Sequence, residues 1–186
     1  MTSPIRIGLI GMGTVGTGVV RVLLDSPEHI SRQAGSEVIV EHVVVQNPGK
    51  QRSIKLPSDK VSNDFARVRD NPEISIVALL LGGLEPARTL AIELLKSGKD
   101  LVTANKALLA EHGPELFGVA HEMGRSIAFE AAIAGGIPIV AAISECLTGN
   151  RISSIRGILN GTSNFILTKM EQDGSDYHEV LSLAQA

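Results

Sequence analysis

The chain has no tryptophan, one tyrosine and an aromatic content of 3%, so it lacks the stacking platform on which proteins hold single-stranded nucleic acid. Charge of one sign is also missing: 17 Lys and Arg stand against 20 Asp and Glu, a formal net charge of -3. That leaves no basic field for a phosphate backbone, and nucleic-acid binding is not expected. The single cysteine, Cys146, excludes an internal disulfide and a paired-cysteine metal site. Because it sits in an apolar, helix-like stretch, it is expected to be a core thiol. The longest apolar run, Ala131 to Ile143, is broken by Gly135, Gly136 and Pro138 and is shorter than the roughly 20 residues a membrane-spanning helix needs. No basic region followed by an apolar stretch and a cleavage site opens the chain, so a cytoplasmic protein without a membrane partner is expected. His121-Glu122-Met123-Gly124-Arg125 places arginine where a zinc-binding HExxH needs its second histidine. Gly98-Lys99 lacks the other residues of a P-loop and reads as loop.

What is present is ordinary in amount and specific in pattern. Hydrophobic residues make up 44% of the chain and charged residues 20%, which suits a folded globular protein. Its 186 residues can bury one good core, or one full domain and the beginning of another. Ile5 to Ile10 reads as a buried strand and Thr14 to Leu24 as a helix, with Gly11-Met12-Gly13-Thr14-Val15-Gly16 between them. A strand, a G-x-G-x-x-G turn and a helix form the context in which such glycines bind a dinucleotide. Gly11 permits the tight turn, Gly13 lets backbone N–H groups approach a pyrophosphate, and Gly16 lets the helix pack closely on the strand. Thr14 and Val15 then stand at the positive helix end.

The second strand, Val38 to Val45, is followed by Gln46-Asn47, with no carboxylate to hold the adenosine ribose hydroxyls. Lys50 and Arg52 follow closely enough to attract a 2′-phosphate, so NADP, or both NADP and NAD, is the expected cofactor. Farther along, Ile74 to Leu81 reads as a strand buried on both faces and ends at Gly82-Gly83. A helix from Ala87 to Leu95, a strand from Asp100 to Thr103, helices around Ala107 to Ala110 and Pro114 to Met123, and a strand from Ser126 to Glu130 follow. This alternation predicts an α/β fold with a doubly wound parallel sheet of the Rossmann type. Ligands bind beyond the carboxyl ends of such strands, which directs Gly82, Gly83 and Thr103-Ala104-Asn105-Lys106 toward the cofactor.

After Pro138 the pattern changes to a helix from Ile139 to Leu147, a β-rich segment from Ile152 to Leu159, a helix from Asn164 to Gln172 and a helical pattern from Tyr177 to Ala186. The expected division is a dinucleotide-binding domain over residues 1–136 and an incomplete α+β substrate domain over 137–186.

Four segments together carry a resemblance: Ile7 to Val19, Leu101 to Ala110 with its Thr-Ala-Asn-Lys core, Phe129 to Ile139, and Arg156 to Met170 with Gly157-Ile158-Leu159-Asn160-Gly161-Thr162. In this order they resemble homoserine dehydrogenase along essentially the whole chain. The resemblance implies an NAD(P)-dependent oxidoreductase interconverting L-homoserine and L-aspartate 4-semialdehyde, a small-molecule substrate on the route to threonine and methionine. It implies that Lys106 lies near cofactor and substrate, polarising a carbonyl or sharing in proton transfer, and that Thr162 contacts substrate on a turn shaped by Asn160 and Gly161. From the residues alone, Thr162 equally suits the N-cap of the following helix. Glu130 and the backbone of Ile133, Gly135 and Ile137 match the family's monovalent cation site, taken as sodium. A homo-oligomer paired through the second domain is also implied. The chain departs from the family at Asn47, Ser75 and Leu79, where acids are usual. The family continues past the position of Ala186 with a Gly-Tyr-acidic segment and a second lysine, so a truncated chain is expected. The alternative to an active enzyme is a catalytically incomplete dinucleotide-binding module.

Overall fold

Side chains alternate across Ile5–Ile10 (β1), and this strand lies at the centre of a sheet with apolar packing on both faces. Ile7 and Leu9 join a cluster with Val20, Val40 and Val43, while Ile10 joins another with Val77, Leu79 and Leu101. The computed structural model describes residues 3–158 and 160–185, and it divides into two units, Met1–Ile133 and Ala134–Ala186.

In the first unit β1 is joined by Val38–Val44 (β2), Val61–Ser62 (β3), Ile74–Leu79 (β4), Asp100–Thr103 (β5) and Ile127–Ala128 (β6). The order is β3-β2-β1-β4-β5-β6, and every pairing is parallel. The order reverses between β1 and β4, so their carboxyl ends open a crevice, the place where such sheets receive ligands.

The connecting helices are Thr14–Asp25 (α1), Pro27–Ala34 (α2), Ala66–Arg69 (α3), Ala87–Lys96 (α4) and Lys106–Met123 (α5). Leu94 and Leu95 of α4 are fully buried, each worth about 1.5–3 kcal/mol over exposure. Leu108, Leu116 and Ala120 of α5 join the same cluster, and Arg88 on α4 pairs with Glu115 on α5 above it.

Several boundaries differ from the sequence expectation. Rather than two helices, α5 is one, running through Pro114. Proline removes one helical N–H, but buried residues on both sides of it hold the helix against α4. The strand expected over Ser126 to Glu130 shortens to β6 and gives way to a 3-10 turn, Glu130–Ala132. Pro27 stands at the start of α2 and Gly35, at φ 71, just past its end. This helix was not anticipated from the sequence; it is polar on average and none of its residues is buried.

The second unit is helical among its described residues. Ile139–Ala141 (α6) runs into a π-helical turn, Ala142–Cys146, in place of the continuous helix expected to Leu147. Gly161–Asp173 (α7) and Tyr177–Gln185 (α8) follow. The segment 152–158 forms no strand and is exposed, contrary to the β-rich expectation, while Leu159 lies outside the described residues. A strand needs a neighbour to take its backbone bonds, and the described part of this unit holds none. Cys146 is exposed, not a core thiol. The wider π turn, with Leu147 N–H bonded to Ala142 C=O, shifts the apolar face away from the helical period that the sequence suggested.

Candidate functional site

The Gly11–Gly16 turn is built from close backbone contacts. Gly11 has φ 94, and a Cβ there would lie 2.7 Å from the carbonyl oxygen of Leu80. At Gly16 a Cβ would lie 2.1 Å from the carbonyl oxygen of Gly11. Both glycines are therefore required by the protein's own packing. Gly13 differs, because a Cβ there would meet nothing within 4 Å. It is the N-cap of α1 and supplies no side-chain acceptor to the first-turn N–H groups. Open space above Gly13 and uncapped helix donors below it fit a pyrophosphate.

A cleft opens on each side of this turn. The first, about 370 Å³, is lined by Val15, Leu80, Leu81, Gly82, Asn105 and Lys106, among others. β4 ends at Leu79, two residues earlier than expected, and this turns Leu80 and Leu81 from strand into cleft wall. Asn105 organises the opposite wall. Its Oδ1 accepts from the Leu108 N–H at 3.1 Å, capping α5, while its Nδ2 donates to the carbonyls of Leu81 at 3.0 Å and Gly83 at 2.6 Å. Beneath it the Thr103 hydroxyl donates to Leu79 C=O at 3.0 Å. The loop after β4 is thus fastened to the start of α5. Lys106, the next residue, is exposed at the cleft with no hydrogen bond or ion pair among the described residues.

The second cleft, about 470 Å³, lies between α1 and the segment after β2, with Gly13, Thr14, Arg21, Lys50, Arg52 and Ser53 in its lining. Asn47 is not part of that lining. Its Oδ1 accepts from the Gly49 N–H at 3.0 Å, an Asx turn that shapes the segment instead.

The second unit contains the remaining sequence candidates. Asn160, not Thr162, is the N-cap of α7, its Oδ1 accepting from the Ser163 N–H at 2.8 Å. Gly161 and Thr162 occupy the first turn, and the Thr162 hydroxyl has no partner among the described residues. Of the expected cation ligands, Glu130 opens the 3-10 turn and Ile133 follows it, while Gly135, at φ 63, and Ile137 belong to the second unit. Among the described residues no group of three or more His, Cys, Asp and Glu side chains gathers as for a metal ion, and no helix is long and apolar enough to cross a membrane.

Two titrating groups lie away from the clefts. Lys99, expected as a loop residue, is 4% exposed and donates to the carbonyls of Asn71 and Ile74 at 2.5 and 2.7 Å. Burial pushes its ammonium below the ordinary lysine value, against the opposing pull of Asp70. His42, 6% exposed, is 2.8 Å from the Ser62 hydroxyl. Burial, and secondarily the charge of Arg67, holds its imidazole below the ordinary histidine value.

The parallel sheet, its switch point and the glycine turn define a dinucleotide-binding fold. Sequence comparison gives it a family. A profile described as the homoserine dehydrogenase NAD binding domain matches residues 11–130, and one described as homoserine dehydrogenase matches residues 138–186. The chain belongs to the homoserine dehydrogenase family. It is 43% identical to the homoserine dehydrogenase of Bacillus subtilis over 97% of its own length and 42% of the relative's. With that of a Synechocystis species it shares 44% identity, covering 97% of this chain and 41% of the relative. The crystal structure of the Thiobacillus denitrificans homoserine dehydrogenase superposes with a TM-score of 0.86 at 46% identity, over 98% of this chain and 42% of that one. The chain therefore spans about two-fifths of the length of these relatives.

The sequence did not single out Arg21, nor the bonds from the Asn105 side chain to Leu81 and Gly83, although it directed Asn105 itself toward the cofactor. A signal for Arg21 existed: Thr14, Thr17, Gly18 and Arg21 fall at i, i+3, i+4 and i+7, one face of α1, and all line the second cleft.

Proposed function

We propose that this chain carries the cofactor-binding part of an NAD(P)-dependent homoserine dehydrogenase, interconverting L-homoserine and L-aspartate 4-semialdehyde in threonine and methionine biosynthesis. The observation that carries the reading is the position of the Gly11–Gly16 turn between two clefts, one leading to Lys106 and the other to Lys50. A dinucleotide has two ends joined by a pyrophosphate, and the turn offers an anion cradle with a compartment on either side.

When bound, the nicotinamide cofactor supplies or accepts the hydride at C4, exchanging it with the substrate carbon that is carbinol in homoserine and carbonyl in the semialdehyde. Lys106 is placed where its ammonium would polarise the substrate carbonyl oxygen and hold the proton that oxygen takes up in the reducing direction, receiving it back in the oxidising one. Leu80, Leu81 and Val15 give that end of the cleft apolar walls. Gly11, Gly13, Thr14, Gly16 and Gly82 shape the cofactor path, with Asn47 acting through the segment that carries Lys50. Substrate contact by Thr162, with Asn160 and Gly161 shaping its turn, belongs to the same proposal on the strength of the sequence resemblance. So do sodium at Glu130, Ile133, Gly135 and Ile137, and a homo-oligomer.

The test is homoserine-dependent reduction of NADP and NAD by the purified chain, with cofactor binding measured on the same samples. Turnover that falls about 100-fold or more in Lys106→Met, with binding retained, supports the assignment. Binding without turnover would make the chain a dinucleotide-binding module, and absence of binding would overturn the proposal.

A further inference from the structure

The geometry points to Arg21, on α1, as the residue that recognises the 2′-phosphate of NADP, with Lys50 beside it and Arg52 as a positioning residue. This rests on the dinucleotide reading above and assigns its adenosine end.

Arg52 is already engaged by its own segment. Its Nη2 donates to Asn47 C=O at 2.9 Å and its Nη1 to Lys50 C=O at 2.9 Å, while its Nε is buried without a partner. The guanidinium is turned into the 47–52 segment, closing it as a clasp, and its fork is committed before any ligand arrives.

Arg21 and Lys50 are differently placed. Both are exposed and line the same 470 Å³ cleft as Gly13 and Thr14. Arg21 makes one long side-chain bond, from Nη2 to the Ser53 hydroxyl at 3.3 Å, which leaves most of its fork available to a phosphate. No residue lining the cleft carries a carboxylate, so the element that holds unmodified ribose hydroxyls in NAD-selective sites is missing, and of the three cations in the lining, Arg21, Lys50 and Arg52, only Arg52 is turned into its own segment. Along α1, Arg21 lies seven residues beyond Thr14, about 10 Å farther from the phosphate cradle at 1.5 Å per residue. Thr17 and Gly18 form the floor between them, and a Cβ on Gly18 would meet nothing within 4 Å. The cleft is therefore open over a ribose-sized interval and closes on a guanidinium.

The experiment compares NADPH and NADH affinity in the unmodified chain, Arg21→Ala and Arg52→Ala, with adenosine 2′,5′-bisphosphate and adenosine 5′-monophosphate as competing probes. Arg21→Ala is expected to weaken NADPH and the bisphosphate by about ten-fold or more while leaving NADH and the monophosphate unchanged. Arg52→Ala is expected to weaken both dinucleotides alike, because the whole segment loosens. Equal loss of NADPH and NADH in Arg21→Ala, or a loss confined to NADPH in Arg52→Ala, would overturn the assignment. If the unmodified chain bound neither dinucleotide, the cofactor reading itself would fail; if it bound both and Arg21→Ala changed neither affinity, only this inference would.

Discussion

Gly16 sits so close to Gly11 that a side-chain carbon on it would lie 2.1 Å from the Gly11 carbonyl oxygen. No adjustment of a flexible side chain relieves that contact, because the atom is backbone.

Gly16→Ala is therefore predicted to lower stability by about 1–3 kcal/mol through overpacking and to abolish cofactor binding by displacing the turn. Gly13→Ala is predicted to separate the two effects. Its Cβ enters open space and its φ of -81 suits any residue, so urea denaturation should change by no more than about 1 kcal/mol, the difference between glycine and alanine at a helix N-cap. Dinucleotide affinity should fall about ten-fold or more where the methyl meets the pyrophosphate. Unchanged affinity in Gly13→Ala would remove the cradle from the account.

The Asn105 clamp gives a second prediction. Asn105→Ala loses the α5 cap and leaves the carbonyls of Leu81 and Gly83 without their donor, at a cost of about 1–3 kcal/mol. Asn105→Asp keeps the cap acceptor but aims a carboxylate at two carbonyl oxygens. It should be at least as destabilising as alanine, and chemical denaturation of the two variants checks the order.

Histidine 42 sets an acid-side dependence. Its folded pKa lies below the ordinary histidine value of 6.5, so in that window the unfolded chain binds more protons than the folded one. Stability contributed by neutral His42 is full above 6.5 and is lost as pH falls toward and through the folded pKa. His42→Gln should flatten this part of the stability profile measured by denaturant titration, and an unaltered slope would show that other groups carry it.

Lysine 99 acts at the alkaline end with the same sign. Its folded pKa is lowered from 10.5 by burial, so the unfolded chain again holds more protons in the window below 10.5, and the penalty of burying the ammonium is relieved as pH rises through it. Relative to Lys99→Met, the unmodified chain should gain stability between neutral pH and pH values approaching 10.5. At neutral pH the variant should be less stable by about 1–3 kcal/mol, because the Asn71 and Ile74 carbonyls lose their donor.

The sheet was legible in the sequence because parallel strands buried on both faces read as apolar runs, as Ile5–Ile10 and Ile74–Leu79 do. The glycine turn and Lys106 were legible because their spacing relative to a strand is local information. Less visible were features decided at a distance. Leu80 and Leu81 look like strand residues, and only the reach of Asn105 across to Leu81 and Gly83 makes that stretch a cleft wall. Arg52 and Lys50 look alike in sequence, yet the carbonyls of Asn47 and Lys50 take the guanidinium of one and leave the ammonium of the other exposed. Segment 152–158 failed as a strand because β-propensity describes a surface that needs a partner, and none of the described residues of its unit supplies one.

The most direct test of the central claim, that the Gly11–Gly16 turn seats a dinucleotide between two clefts, is titration of the purified chain with NADPH followed by its fluorescence. Saturable binding, weakened in Gly13→Val with the urea midpoint held, is the predicted result. A flat titration, or a Gly13→Val variant that binds as tightly as the unmodified chain, would contradict it.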